Sequence, residues 1–315
     1  MRTPLALPRD PRVYQIAALS TLLLYGMLFR GFDITRVRVA VILLAALGSQ
    51  YACTRIWRLP TFDPKSALIS GLSLCLLLRT NLTALAILTA AVTIASKFAI
   101  RWEGKHVFNP TNFGLVAMML ATDAVWVSPG QWGSTVFFAF AIACAGLVVV
   151  QRAARADVTF TFLGVYAALL LLRALWLHEP LTIPFHRLES GALLLFAFFM
   201  ISDPKTTPDR RPARILFAAL VAAGAAWVQL RMFRTNGLLW SLAAFSALVP
   251  LLDRILPGEP YAWLRGPVPV RAVPKGASRE ARHDWPSLHP FPARRQPPDG
   301  RVLRLLRGES GREAL

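Results

Sequence analysis

Ten apolar stretches, separated by short and mostly basic connections, follow one another along the first 256 residues. Seven are long: residues 13–29, 37–53, 82–100, 135–150, 158–177, 215–232 and 237–256. Three are shorter: residues 67–78, 113–127 (interrupted at Thr122-Asp123) and 191–201. A bilayer core takes roughly 17–25 apolar residues per helix, and inside it a helix satisfies its own backbone polar groups. The pattern predicts an all-α polytopic membrane protein of about ten transmembrane helices. Composition agrees, with 55% of residues hydrophobic and only 17% charged. A net charge of +18 on so apolar a chain argues against a nucleic-acid binder, whose charge would lie on a polar surface. Cys53, Cys75 and Cys144 have neither metal-ligand nor disulfide spacing and read as packing residues.

The basic residues orient the chain. With the N-terminus placed in the cytoplasm and ten spans alternating, 27 of the 35 Lys and Arg fall inside and 8 outside. That bias predicts both termini on the cytoplasmic side of a bacterial inner membrane. The first span follows Arg2, Arg9 and Arg12 with no small-residue cleavage site after it, so it reads as a retained anchor. Residues 1–256 form the membrane domain. Residues 257–315 hold 10 of the 23 prolines and 11 basic residues against 6 acidic ones. Such a stretch cannot build a core, and it reads as a disordered cytoplasmic tail.

Two short runs resemble each other 120 residues apart. Ser70-Gly71-Leu72-Ser73-Leu74 lies in the third segment and Ser190-Gly191-Ala192-Leu193-Leu194 in the eighth. Each precedes a long span and then a basic turn ending in asparagine: Lys105 to Asn112, and Arg231 to Asn236. The spacing predicts two halves of five spans, residues 13–127 and 135–256. Five is odd, so the halves have opposite topology. Short or interrupted segments in corresponding positions of inverted halves point to a site near the midplane. A helix starting at that depth offers unpaired N–H groups and a positive dipole end, and glycine there permits close approach. Ser70, Gly71, Ser190 and Gly191 are therefore candidates to line a ligand or ion site, with tight helix packing as the simpler reading. Asn109 and Asn112 open the fifth span, where an N-cap before proline is reason enough for them. Glu189 stands at the start of the eighth segment, where the helix dipole favours negative charge. Asp203 directly follows the aromatic run Phe196, Phe198, Phe199. An unpaired carboxylate is costly there, so Lys205 or Arg210 pairs with it or it faces a polar site.

Two signatures carry a resemblance. Lys105-His106-Val107-Phe108-Asn109-Pro110 before an apolar span, and the longer run from Leu188 through Asp203-Pro204, resemble a membrane family. It comprises the RnfD component of Rnf electron-transport complexes and the NqrB component of the sodium-translocating NADH:quinone oxidoreductase. The similarity extends from about Ser66 through Leu256. It implies a bacterial inner-membrane protein that carries flavin and couples electron transfer to Na⁺ or H⁺ movement beside other Rnf- or Nqr-like subunits. In those proteins flavin mononucleotide is attached to a Thr in a Ser-Gly-Ala-Thr-like motif, within a long insertion between spans five and six. Here that connection is only residues 122–134 and the motif is absent, and the surroundings of Thr135 do not match it. The difference argues against covalent flavin and leaves noncovalent FMN or riboflavin as the expected cofactor. It also favours an alternative, a redox-inactive channel or transporter on the same fold. No P-loop, His-Glu-x-x-His, cysteine pair or nucleophile elbow occurs, so no residue is assigned a catalytic or metal-binding role. A third expectation is a structural subunit whose tail recruits a partner.

Overall fold

A computed structural model describes residues 10–128 and 136–261, with side chains from 142 in the second stretch. Arg2, Arg9, Thr135 and the tail from residue 262 therefore lie outside the described residues. Each of the ten apolar stretches contains helix, and the third and fifth end in short strands. The first half contains α1 (Pro11–Phe29), α2 (Arg36–Ile56), α3 (Pro64–Leu77), α4 (Thr83–Ala99) and α5 (Pro110–Ala121). The second contains α6 (Val136–Arg152), α7 (Ala156–Trp176), α8 (Thr182–Leu188), α9 (Gly191–Leu195), a π-helical turn (Phe196–Met200), α10 (Arg211–Leu230), α11 (Gly237–Ser246) and α12 (Val249–Ile255). Four of these, α1, α2, α7 and α10, are long and apolar enough to cross a membrane. Two bent pairs bring the number to six, α8 with α9 and the π turn, and α11 with α12, each bent by 46°. This is a multi-pass membrane protein. The remaining stretches are apolar helices of 10–17 residues.

Local chemistry explains the helix starts. Asp10, Thr35 and Asn109 each accept a backbone N–H of the following first turn, from Arg12, Arg38 and Asn112, and proline occupies the first turn of α1, α3, α5, α10 and α12. Both features satisfy or remove orphan donors. Helix α3 runs into a three-residue strand, β1 (Leu78–Thr80), which pairs antiparallel with β4 (Val125–Val127), Leu78 opposite Val127. A second pair, β2 (Arg101–Trp102) with β3 (Lys105–His106), joins α4 to α5. Its turn residues Glu103 and Gly104 both have positive φ, 47° and 79°, as a tight primed hairpin turn requires.

The packing is a set of matched pairings. Helix α2 lies on α4 as α7 lies on α10; α4 lies on α5 as α10 lies on α11. Helix α1 contacts α3, and α6 contacts α9 and the π turn. Across the middle, α1 meets α6 and α5 meets α11. Small residues make the crossings close. At Gly114 a Cβ would overlap the Thr93 side chain of α4, and at Gly224 it would lie 2.5 Å from Ser241 Oγ of α11.

Among the described residues the ion pairs gather at one set of helix ends, apart from Arg173–Glu179 at the far end of α7. Arg12 bridges Asp10 and Asp63, and Lys65 also reaches Asp10. Arg214 pairs with Asp157 at the starts of α10 and α7. Lys105 of the β2–β3 hairpin holds both Asp209 (3.0 Å) and Asp253 (2.7 Å).

Candidate functional site

The eighth apolar segment breaks twice, and the breaks create the site. Helix α8 ends at Leu188, α9 starts at Gly191, and its helix widens into the π turn at Phe196. In the π turn Ile201 N–H reaches back five residues to the Phe196 carbonyl at 3.1 Å. Such turns leave carbonyls off the regular ladder and recur at functional sites. At membrane depth those carbonyls need partners, and neighbouring helices supply them. Thr159 of α7 donates its hydroxyl to the Ala197 carbonyl (2.8 Å), Ser202 to that of Phe198 (2.6 Å) and the Asn109 amide to that of Met200 (3.3 Å). Gly146 of α6 lets Phe198 approach so closely that a Cβ there would lie 2.5 Å from the Phe198 Cβ.

Asp203 follows directly. One carboxylate oxygen, Oδ1, accepts the Lys205 backbone N–H at 3.0 Å, closing a turn around Pro204. The other, Oδ2, faces the Asn109 amide at 3.4 Å. Neither cation named from the sequence takes it: Lys205 Nζ instead donates to the Tyr261 carbonyl at 2.8 Å, and among the described residues Asp203 makes no salt bridge. Burial pushes its carboxyl above the ordinary range, against the Lys205 N–H bond and nearby Lys97, which pull it down. Oδ2 borders a small cavity of about 40 Å³ whose polar lining is Gln15, Ser70, Ser73, Asn109, Thr111 and Asp203. A water needs roughly 10–15 Å³ on such a measure, so the space suits one or two waters or a small cation.

The predicted residues divide. Ser70, Asn109 and Asp203 come together around this cavity. Asn112 is fully buried beside it and donates to the Leu239 carbonyl of α11 at 3.2 Å. Ser190 lines a second, larger cavity with Tyr166, Arg187, Gln229 and Asn236 among apolar walls that include Leu77, Val127 and Phe196. Its volume is about 200 Å³, and the Tyr166 hydroxyl donates to Gln229 Oε1 within it. Gly191 opens α9 as expected of a helix start, and it is buried. Glu189 instead caps the C-terminal end of α8.

Gly71 does something else. It lies in the middle of α3, not at a helix start, and a Cβ there would come within 2.9 Å of Leu43 and 3.3 Å of Ala46 on α2. The two Ser-Gly runs are thus not alike in structure. The first continues a helix because Pro64 and the residues after it permit one; the second follows the break after Glu189.

Sequence reasoning passed over several polar groups. Gln15 and Thr111 line the Asp203 cavity, and Lys97 lies within α4, only 4% exposed, with Nζ donating to Gln50 Oε1 at 3.0 Å. Lys97 had counted as a loop residue on the cytoplasmic side, and the basic bias survives its removal. The available signal was the charge itself, since an ionisable residue inside a span is a functional candidate by default.

Residues 120–261 match the NQR2, RnfD, RnfE family. Curated relatives include the D component of the ion-translocating oxidoreductase complex of Escherichia coli (strain K12), 31% identical over 118 residues, which is 37% of this chain and 33% of that protein. The same component from Stutzerimonas stutzeri is 37% identical over 79 residues, 24% of this chain and 22% of that one. The chain therefore spans about a third or less of the length of these relatives.

Proposed function

We propose, from the match of residues 120–261 to the NQR2, RnfD, RnfE family, a membrane subunit of an Rnf- or Nqr-like electron-transport system in which a small cation passes the Asp203 cavity. The observation that carries this reading is Asp203 itself: a buried carboxylate with no salt bridge among the described residues, one oxygen turned to Asn109 and its side chain at a polar cavity. A buried carboxylate beside a polar cavity at the end of a membrane span is a place where ion and proton paths begin. Asn109 holds the π turn and Asp203 at once, so movement of α5 is transmitted to the carboxylate.

Ten spans in two inverted five-helix halves are the architecture we favour. The matched pairings support it, as does a reciprocal contact across the centre. Asn112 at the start of α5 bonds Leu239 at the start of α11, while Asn236 before α11 reaches Met119 Sδ near the end of α5 at 4.0 Å. In this arrangement the short helices reach across by pairing with their counterparts. The basic ends of the helices face the cytoplasm of a bacterial inner membrane, with both termini on that side. Residues 1–256 are then the membrane domain and residues 257–315 its tail. Lipid and other subunits of the complex surround it.

The cofactor of this reading is noncovalent FMN or riboflavin, with only the flavin ring entering the larger cavity of about 200 Å³. Its apolar walls suit a flat ring, and Tyr166, Gln229, Arg187 and Asn236 offer hydrogen bonds to a polar ring edge. Bound there, a flavin would supply one- and two-electron transfer. The missing attachment motif favours a second reading, a redox-inactive channel or transporter. Two measurements decide. Purified protein is expected to carry or bind flavin by its absorbance spectrum; a colourless preparation that binds none removes the redox half. In membrane vesicles, Asp203→Asn is expected to cut cation uptake at least tenfold while the chain still folds, and unchanged uptake sinks the Asp203 assignment. Uptake that ignores electron donors favours the second reading.

A further inference from the structure

The charged end of the bundle, where the Asp203 turn lies, is closed by a segment that follows the last helix. After α12 the chain crosses back over the turn as Pro257-Gly258-Glu259-Pro260-Tyr261. It has no regular structure, and Pro257 through Pro260 are exposed. Two prolines remove two backbone donors from it. It nevertheless comes very close: a Cβ on Gly258 would lie 2.7 Å from the Arg210 nitrogen and 2.9 Å from the Asp209 carbonyl carbon. Pro260 and Tyr261 form one wall of a cavity whose other side is Pro204, Lys205, Asp209 and the β2–β3 hairpin.

Tyr261 is held from two directions. Lys205 Nζ donates to its carbonyl at 2.8 Å. The Arg155 guanidinium lies over its ring, 4.9 Å from the centroid. Arg155 is 5% exposed, donates to Thr207 Oγ1 at 2.9 Å and to the Ala154 carbonyl, and makes no ion pair among the described residues. The neighbouring carboxylate, Asp157, is taken by Arg214. A buried guanidinium without a counter-ion is costly, and the π face of Tyr261 is what compensates it here. A carboxylate in that place would clamp the segment; an aromatic ring holds it with less energy and releases it more readily.

We propose that residues 257–261 are a displaceable strap that closes the charged end over the Asp203 turn, latched by the Tyr261 ring on Arg155. Lifted, the strap uncovers Lys205, Thr206 and Thr207 and opens a route toward Asp203. The strap's meaning for ion passage rests on the function proposed above, but its existence does not, and the test reads access rather than transport.

The reporter is Thr206→Cys, at a residue 4% exposed, in the full chain with Cys53, Cys75 and Cys144 changed to alanine. The rate at which a small, permanently charged methanethiosulfonate modifies it is measured on detergent-solubilised protein. Tyr261→Ala is expected to raise that rate about tenfold, the order set by losing one desolvated cation–π contact. Gly258→Val, which collides with the backbone of Asp209 and Arg210, is expected to raise it likewise by pushing the strap away. Tyr261→Phe keeps the ring and is expected to leave the rate within twofold of the parent. Thermal melting identifies the variants that fold, and either strap-opening variant suffices for the test. Rates within twofold of the parent in the folded strap-opening variants overturn the proposal, and so does a rise in Tyr261→Phe as large as that in Tyr261→Ala.

Discussion

Helix α3 and the α8–α9–π segment carry similar Ser-Gly runs, yet they solve the backbone problem differently. Helix α3 continues through Ser70 and Gly71 to Leu77 with its ladder intact, and its glycine serves contact with α2. The second segment breaks before Ser190 and widens at Phe196, so its carbonyls depend on Thr159, Ser202 and Asn109. One segment is self-sufficient. The other is stable only because three side chains complete it, and Asp203 sits immediately beyond it. A broken helix is where a membrane protein can expose polar backbone, and the comparison shows that small residues alone do not produce one.

Substitutions can break that contrast, and thermal melting in detergent measures each. The largest effect is expected from Gly146→Val, which drives a branched side chain into Phe198 and displaces the π turn; overpacking of this sort costs about 1–3 kcal/mol or more. A melting temperature equal to the parent's would mean that α6 does not fix the turn. Thr159→Val comes next. It strands the Ala197 carbonyl at a cost of about 1–3 kcal/mol, and a neutral result would show that carbonyl to be satisfied another way. Gly71→Ala meets the flexible end of Leu43 first, so a loss near 1 kcal/mol or below is expected. Ser70→Ala is expected to be close to neutral for stability, because its hydroxyl bonds the Ser66 carbonyl within the same helix. If Ser70→Ala destabilised as much as Thr159→Val, the distinction between the two segments would fail.

The charged end of the bundle adds a pH dependence. Burial pushes the Asp10 carboxyl up, but bonds from Arg12 and Lys65 outweigh it and hold it at about 2, against an ordinary 3.8. The folded state thus binds its proton less readily than the unfolded chain. Its stabilising contribution is complete above about pH 4 and disappears as pH falls towards 2. Melting temperature is expected to drop through that window, with a shallower drop in Asp10→Asn. An unchanged slope in the variant would place the acid sensitivity elsewhere.

Much of the molecule was legible in the residues, for reasons of solvent and geometry. Apolar run length located the described helices other than α8, since a helix satisfies its own backbone polar groups in an apolar setting, and the proline and asparagine of Asn109-Pro110 fixed the start of α5 by capping. Asp203 was legible because a carboxylate against three phenylalanines needs an explanation. The π turn was not, since five aromatic and aliphatic residues carry no mark of a widened ladder. Its cause lies in neighbours, Gly146 and Thr159, that are distant in sequence. Gln15, half-buried on α1, and Lys97, buried in α4, show the same limit: polarity was visible, but not which way the helix turned it.

By itself, then, the sequence determined that this chain is a multi-pass helical membrane protein whose residues 120–261 match the NQR2, RnfD, RnfE family, with a polar element after the eighth apolar run. Hydrophobic burial is local enough to be written in run length and composition. Tertiary structure alone decided that Gly71 packs while Gly191 starts a helix, that Lys205 leaves Asp203 for Tyr261, and that Asn109 faces the carboxylate. Those outcomes depend on which helices touch. A hydrogen bond between residues some hundred positions apart has no signature in either stretch of chain.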